Sequence, residues 1–178
     1  MNPPAITVRR VRPEEADDLA EALAEVLMDC VEGGASVSFM WPLGRDKALA
    51  FWRRVASGVR SGERVLLVAE DAQRQVVGTV QLLLDLPENQ PHRADVAKML
   101  VRRSARRQGV AQALLAALDR EALCEGRKVL VLDTVTGGDA ERVYERAGWQ
   151  RVGSVPRYAL MPDGAFCATT FFHKQLAR

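Results

Sequence analysis

The most constraining feature of this sequence is a change from a strand pattern to a helix pattern across a short basic turn. Residues Arg93–Val101 have the pattern of a β-strand, and from about Gln108 apolar residues recur at helical spacings of three to four. The junction, Arg106–Ala111, has the form R-x-x-G-x-A. Because the first N–H groups of a helix are unpaired and its dipole is positive there, this turn can approach a phosphate or pyrophosphate closely.

Charge favours an anionic ligand at the same place. The net charge is only +2, which is too small to indicate a nucleic-acid or membrane partner. No acidic residue lies between Asp95 and Asp119, yet that stretch carries five basic ones, namely Lys98, Arg102, Arg103, Arg106 and Arg107. Single-stranded nucleic-acid binders interleave aromatic residues with such a stretch, and none lies between His92 and Tyr144. Taken alone, the turn could equally be a solvated basic turn with a capping glycine.

The order of predicted elements indicates a mixed α/β fold. A chain of 178 residues is long enough for one domain, predicted over 1–178. Interspersed helices and strands favour one mixed sheet with helices on both faces. The predicted elements are a strand near 6–11, a helix over 13–31, a loop over 33–42, a helix over 45–60, strands over 64–70, 75–84 and 93–101, a helix from about 108, a strand over 128–133, a helix over 139–147, and strands over about 149–156 and 166–175.

Two motifs resemble the GNAT superfamily of N-acetyltransferases. Met99-Leu100-Val101 leading into Arg106–Ala111 is similar to the family's strand followed by [QR]-x-x-G-x-[GA], and Ala140–Trp149 is similar to its Ala-x-x-φ-Tyr-x-x-x-Gly-aromatic helix. One departure is Gly137, where the family often has an Asn. The resemblance implies a GNAT fold, with a twisted, mostly antiparallel sheet of about seven strands and helices on both faces.

The resemblance also implies acetyl-CoA as the co-substrate and no metal. In this interpretation the backbone of the strand pairs with the pantetheine arm, polarises the thioester carbonyl, and leads to the turn that holds the pyrophosphate. The implied cofactor-binding residues are Met99, Leu100, Val101, Arg106, Arg107, Gln108, Gly109, Val110 and Ala111.

Acetyl transfer to an amine needs a base, because an alkyl ammonium with a pKa of about 10.4 has no lone pair at neutral pH. The resemblance points to Asp133 and Asp95 for this role, and to Tyr144 as the acid that protonates the leaving thiolate. Asp95 stands where the tabtoxin-resistance branch of the superfamily, which parts of this sequence resemble, has Glu. Because the side chain of Asp95 is shorter, we expect a water to bridge it to the amine. Direct attack of the amine within a ternary complex is the expected mechanism.

The acceptor is the least determined part of the prediction. Blocks dispersed over the chain, including Gly33–Met40, Arg93–Val101 and Leu132–Thr134, resemble the tabtoxin-resistance branch of the superfamily, which implies a small amino-acid-derived toxin or antibiotic as acceptor. A protein or peptide amine, or acyl-CoA binding without turnover, stays open. Gly33–Trp41 is either a lid over the acceptor site or core packing. We expect a cytoplasmic protein with no membrane or nucleic-acid partner and a possible homodimer.

Overall fold

The computed structural model describes residues 6–177, which form seven strands and four α-helices. The elements agree with the predicted order. Short 3-10 turns lie at Pro13–Glu15 and Arg103–Ala105. In chain order the elements are β1 (Thr7–Arg10), α1 (Ala20–Glu32), α2 (Arg45–Arg60), β2 (Arg64–Glu70), β3 (Val76–Leu83), β4 (Arg93–Val101), α3 (Val110–Cys124), β5 (Val129–Val135), α4 (Asp139–Arg146), β6 (Gln150–Leu160) and β7 (Phe166–Gln175).

The strands form one open sheet in the order β1-β2-β3-β4-β5-β7-β6. Every neighbouring pair is antiparallel except β4 and β5, which are parallel. This arrangement confirms the predicted mixed, mostly antiparallel sheet. The central position of the single parallel pair is what creates the site described below.

Helices cover both faces of the sheet, as predicted. Helices α1 and α2 pack with Leu66, Val68 and Leu100 on one face. Helices α3 and α4 pack with Val65 and Leu67 on the other. Because β2 is covered on both faces, its sequence is continuously apolar over Val65–Ala69 rather than alternating.

The first predicted helix is shorter than expected. The sequence pattern favours one helix over 13–31, whereas the structure has a 3-10 turn at Pro13–Glu15, a turn over 16–19, and α1 only from Ala20. Glu15 accounts for the tight start, because its carboxylate accepts a hydrogen bond from the Arg12 backbone N–H at 2.9 Å. Within residues 6–177, no helix is long and apolar enough to cross a membrane.

Gly78 allows α3 to approach the sheet closely. A Cβ atom at this position of β3 would lie 2.9 Å from Val110 Cγ1 and 3.1 Å from the carbonyl oxygen of Leu100. Val110 is the first residue of α3, so the missing side chain brings the N-terminus of that helix onto the centre of the sheet.

Candidate active site

A gap opens between the two parallel strands. β4 and β5 pair only through Arg93–Asp95 and Val129–Val131. Beyond this point β4 continues along β3 to Val101, while β5 continues along β7 to Val135. The second halves of β4 and β5 therefore diverge, and backbone groups of β4 line one side of the opening.

A bulge in β4 orients the backbone toward this gap. The register between β3 and β4 shifts by one residue between the pairs Thr79–Leu100 and Gln81–Ala97, and Lys98 has a φ of 52°. The Arg102 N–H donates to the Val77 carbonyl at 2.8 Å. Since successive residues of a strand point their N–H groups to opposite sides, those of Val101 and Met99 face the gap.

Leu100, which was predicted with Met99 and Val101 as a cofactor contact, is placed differently. Its N–H points toward β3 by the same alternation, and its side chain is buried in the core beneath α1 and α2. Two of the three predicted strand residues, Met99 and Val101, thus point their N–H groups into the gap. Leu100 instead packs in the core behind them.

The turn before α3 forms a cradle of backbone N–H groups. Arg107 and Gly109 have positive φ values of 62° and 80°. The first backbone N–H in this stretch with a backbone acceptor is that of Ala113, which donates to the Gly109 carbonyl at 3.0 Å. The backbone N–H groups of Arg107–Ala111 have no acceptor among the described residues. Consecutive free N–H groups at a helix start are suited to an anion such as a phosphate.

The basic residues of this stretch do not form one patch. Arg103 is held by α1, because its Nε lies 2.8 Å from Asp29 and its guanidinium also pairs with Glu32. Arg106 donates from Nε to the Val101 carbonyl at 3.3 Å, at the mouth of the gap. Lys98 lies on the α1 and α2 face of the sheet, above the ring of Phe51 and away from the turn. Only Arg106 and Arg107, the two basic residues predicted to bind the cofactor, are exposed at the turn with no ion pair to a described residue.

Tyr144 lies on α4 and packs in the core on the α3 and α4 face of the sheet. Its side chain is only 6% exposed and its ring packs edge-on against Trp149, with 5.9 Å between centroids. Burial, together with the nearby negative charge of Asp133, raises the pKa of the Tyr144 hydroxyl well above its ordinary value. The phenol is therefore protonated throughout the physiological pH range, and it is a weaker acid than an ordinary tyrosine in this structure.

The two candidate carboxylates lie on one face of the sheet but have different partners. Asp133 is exposed, and its Oδ2 accepts from Thr169 Oγ1 at 3.0 Å. Asp95 forms an ion pair with Arg93, 2.5 Å between Oδ1 and Nη1. Asp95 is in register with Val131, so Asp133 lies one two-residue step further along β5, and strand spacings put the two Cα atoms about 8 Å apart. This separation suits a water between the two groups rather than direct contact.

A buried network that the sequence analysis did not identify supports α4. Glu141 Oε2 lies 2.9 Å from Arg151 Nη2, and the Thr170 hydroxyl, the Gly137 amide and Arg151 lower the pKa of the Glu141 carboxyl. Glu141 is one helical turn before Tyr144 and, like it, is buried. The network therefore positions the part of α4 that carries Tyr144. Glu141 lies inside the second motif, but its partners on β6 and β7 are distant in sequence.

The segment Gly33–Trp41 packs partly in the core, as one of its two predicted roles required. Phe39 is buried in the core, with its ring centroid 5.3 Å from that of Phe51. The segment is also attached to the β6–β7 hairpin, because Ser36 Oγ donates to the Leu160 carbonyl at 2.8 Å and the Trp41 N–H donates to the Pro162 carbonyl at 3.0 Å. It forms a wall between α1 and the hairpin.

The fold and its gap define an α/β protein built around one extended cleft, with free backbone groups along its length. A family model described as the acetyltransferase (GNAT) domain matches residues 62–151, which include β2 through α4. This chain belongs to the GNAT acetyltransferase family. Among residues 6–177, no group of three or more His, Cys, Asp or Glu side chains is arranged to hold a metal ion.

Solved structures share the whole architecture. A GCN5-related N-acetyltransferase from Kribbella flavida has a TM-score of 0.78 at 23% identity, covering 97% of this chain and 98% of that one. An N-acetyltransferase from Staphylococcus aureus Mu50 has a TM-score of 0.77 at 19% identity, covering 97% and 99%. The protein yncA from Salmonella typhimurium, solved with its cofactor acetyl-CoA, has a TM-score of 0.73 at 18% identity, covering 98% and 95%. These likenesses confirm the predicted GNAT fold.

Proposed function

We propose that this protein is an acetyl-CoA-dependent N-acetyltransferase for the amine of a small molecule, with all seven strands serving one catalytic domain. The observation that carries the proposal is the gap between β4 and β5. β4 runs along the gap to Val101 and leads into the turn with free N–H groups, while β5 carries Asp133 past the point where the strands separate. The charge of Asp133 also acts on the hydroxyl of Tyr144. An extended ligand with a phosphate at one end and a reactive group at the other matches this arrangement.

The residues present fit acetyl-CoA. The N–H groups of Arg107–Ala111 would hold the pyrophosphate with help from the Arg106 and Arg107 side chains, and the free edges of Met99 and Val101 would pair with the amides of the pantetheine arm. A Cβ at Gly109 would meet no atom within 4 Å, so the cradle is open to a ligand. When bound there, acetyl-CoA supplies an activated acetyl thioester.

Three side chains would then provide the proton transfers. Asp133, exposed on the α1 and α2 side of the sheet, accepts the proton of the acceptor ammonium directly or through a water. Asp95, whose Cα lies about 8 Å from that of Asp133, assists this transfer, and its side chain is held by the ion pair with Arg93. Tyr144 is the proposed donor of a proton to the leaving thiolate, since its hydroxyl is protonated at neutral pH.

A small amino-acid-derived toxin or antibiotic is the acceptor class that we propose, on the resemblance of Gly33–Met40, Arg93–Val101 and Leu132–Thr134 to tabtoxin-resistance acetyltransferases. The wall formed by Gly33–Trp41 and the β6–β7 hairpin limits the acceptor side, which favours a small molecule over a protein. Resistance to such a compound in the cytoplasm is the corresponding cellular role.

The test couples binding to turnover. Acetyl-CoA binding is measured by calorimetry, and acetyl-CoA consumption is measured over amines, polyamines, aminoglycosides, amino acids and β-lactam-containing dipeptide toxins. Gly109→Glu should abolish measurable acetyl-CoA binding, because it places a carboxylate against the phosphates. Gly126→Glu is the matched control, since Gly126 also has a positive φ and open space but lies at the far end of α3.

Equal acetyl-CoA affinity in the parent and in folded Gly109→Glu would show that the site is wrong. Tight binding of acetyl-CoA without consumption against any acceptor would favour a non-catalytic acyl-CoA-binding protein. Consumption with peptides alone would replace the small-molecule acceptor by a peptide amine.

A further inference from the structure

Two half-buried cations lie on the α1 and α2 face of the sheet without a carboxylate partner. Lys98 is at the bulge of β4 and Arg64 is at the start of β2. Neither forms an ion pair within 4.0 Å with any carboxylate of residues 6–177, whereas Arg93 on the same strand as Lys98 pairs with Asp95. An unpaired cation away from bulk water is unfavourable unless something compensates it.

Lys98 has unused hydrogen-bonding capacity. An ammonium has three donors, and the structure shows one of them engaged, with Ser38 Oγ at 3.0 Å. The ammonium also lies 5.6 Å from the centroid of the Phe51 ring. Burial lowers the pKa of Lys98, the charge of Asp133 acts in the opposite direction, and the charge of Arg64 lowers it further. The charges of Asp133 and Arg64 therefore both act on the Lys98 ammonium.

The surrounding unused groups are donors as well. Arg64 Nη1 donates to Gln81 Oε1 at 3.0 Å, which leaves Arg64 Nε and Gln81 Nε2 buried without acceptors among the described residues. Gln81 is almost fully buried, and it holds the guanidinium in place. The surroundings of Lys98 therefore carry positive charge and donors but no described acceptor for its two remaining N–H groups, which is complementary to an anion.

We propose that Lys98 binds a carboxylate or similar anionic group of the acceptor, while Asp133 meets the acceptor's amine. The inference rests on the proposed acetyltransferase function and specifies the acceptor as zwitterionic, with an anionic group near the reacting amine. The bulge makes this possible, because the inserted residue turns Lys98 to the same face as Leu100 and beneath α2. Diamines and polyamines are disfavoured, since a second ammonium would face Lys98.

The test compares amino acids with their decarboxylated amines. The pairs are phenylalanine and phenethylamine, methionine and 3-(methylthio)propylamine, and ornithine and putrescine, each assayed for kcat/KM by release of the CoA thiol. We expect the parent to prefer the carboxylate-bearing member of at least one pair by about tenfold or more, as for a charge-assisted contact. Lys98→Met should reduce that preference about tenfold.

Lys47→Met is the matched control. Lys47 also places its ammonium over an aromatic ring of this region, 6.0 Å from the centroid of Phe39, but it is exposed on the outer side of α2. Its removal should leave the preference unchanged. If Lys98→Met does not fold, Lys98→Gln retains a donor for Ser38 and removes the charge, so it carries the same comparison.

The proposal is wrong if the parent shows no preference for the carboxylate-bearing members, or if Lys98→Met reduces both members of a pair equally. Equal loss would make Lys98 a support for the loop at Ser38. If acetyl-CoA is not consumed with any acceptor, the proposed function fails. In that case, calorimetry measures the binding of each member of the same pairs to CoA-saturated protein. The role of Lys98 is then decided by whether Lys98→Met reduces the preference in affinity for the carboxylate-bearing member.

Discussion

Gly78→Ala should loosen the contact between the sheet and the helix that starts at the candidate phosphate turn. The added Cβ would lie 2.9 Å from Val110 Cγ1, 3.1 Å from the Leu100 carbonyl oxygen and 3.2 Å from Leu114 Cδ1. Two of these neighbours belong to α3 and the third to the backbone of β4, so little can move without shifting the helix. The helix must therefore move away by a few tenths of an ångström.

The magnitude follows from two opposing effects. Overpacking of this kind costs about 1–3 kcal/mol. Replacing a strand glycine by alanine recovers roughly 0.5–1 kcal/mol of backbone entropy. We expect a net loss of about 1–2 kcal/mol in the free energy of unfolding, which lowers Tm by roughly 3–6 °C for a chain of this size. Because Val110 is part of the cradle, acetyl-CoA affinity should fall about fivefold, equivalent to roughly 1 kcal/mol.

Urea unfolding followed by circular dichroism measures the stability, and calorimetry measures acetyl-CoA binding. Gly153→Ala is the control, because Gly153 lies in exposed β6 with nothing within 4 Å of its built Cβ and no positive φ. That variant should be as stable as the parent or slightly more stable. If Gly78→Ala matched Gly153→Ala in both measurements, the close approach of α3 would not hold the turn in place.

Three further predictions concern proton transfer and its support. Tyr144→Phe should lower kcat about 10²-fold or more with little change in acetyl-CoA affinity, and undiminished turnover would remove its role as acid. Asp133→Asn should reduce kcat/KM and weaken the rising limb of its pH profile, and Asp95→Asn should produce smaller changes in the same two quantities. Strictly additive losses of free energy in the double variant would argue against a shared proton relay. The contacts that lower the pKa of the Glu141 carboxyl stabilise the fold fully above the ordinary Glu pKa, and this stabilisation is lost as pH falls through the lower folded-state pKa. In urea unfolding, Glu141→Gln should therefore be less stable than the parent at pH 7 and should lose less stability on acidification. Equal losses on acidification would contradict this account.

Local patterns were sufficient to predict most of the fold. Helical spacing identified α2, α3 and α4, and runs of β-branched and apolar residues identified the strands, because each pattern reflects neighbours along the chain. The turn at Arg106–Ala111 was also predictable, since free N–H groups at a helix start are a property of the backbone. The start of α1 was predicted wrongly because Pro13 and the acids after it are equally compatible with a 3-10 turn.

The sequence by itself determined the order of elements and the family motifs, and it supplied the candidate catalytic side chains. Only the tertiary structure decided that β4 and β5 separate after Asp95 and Val131, which makes the cleft. It also divided the basic stretch, because Arg103 pairs with carboxylates of α1 and Lys98 lies over the ring of Phe51 on α2, away from the turn. These outcomes depend on pairing register and on contacts between residues far apart in the chain, and neither is encoded in local spacing.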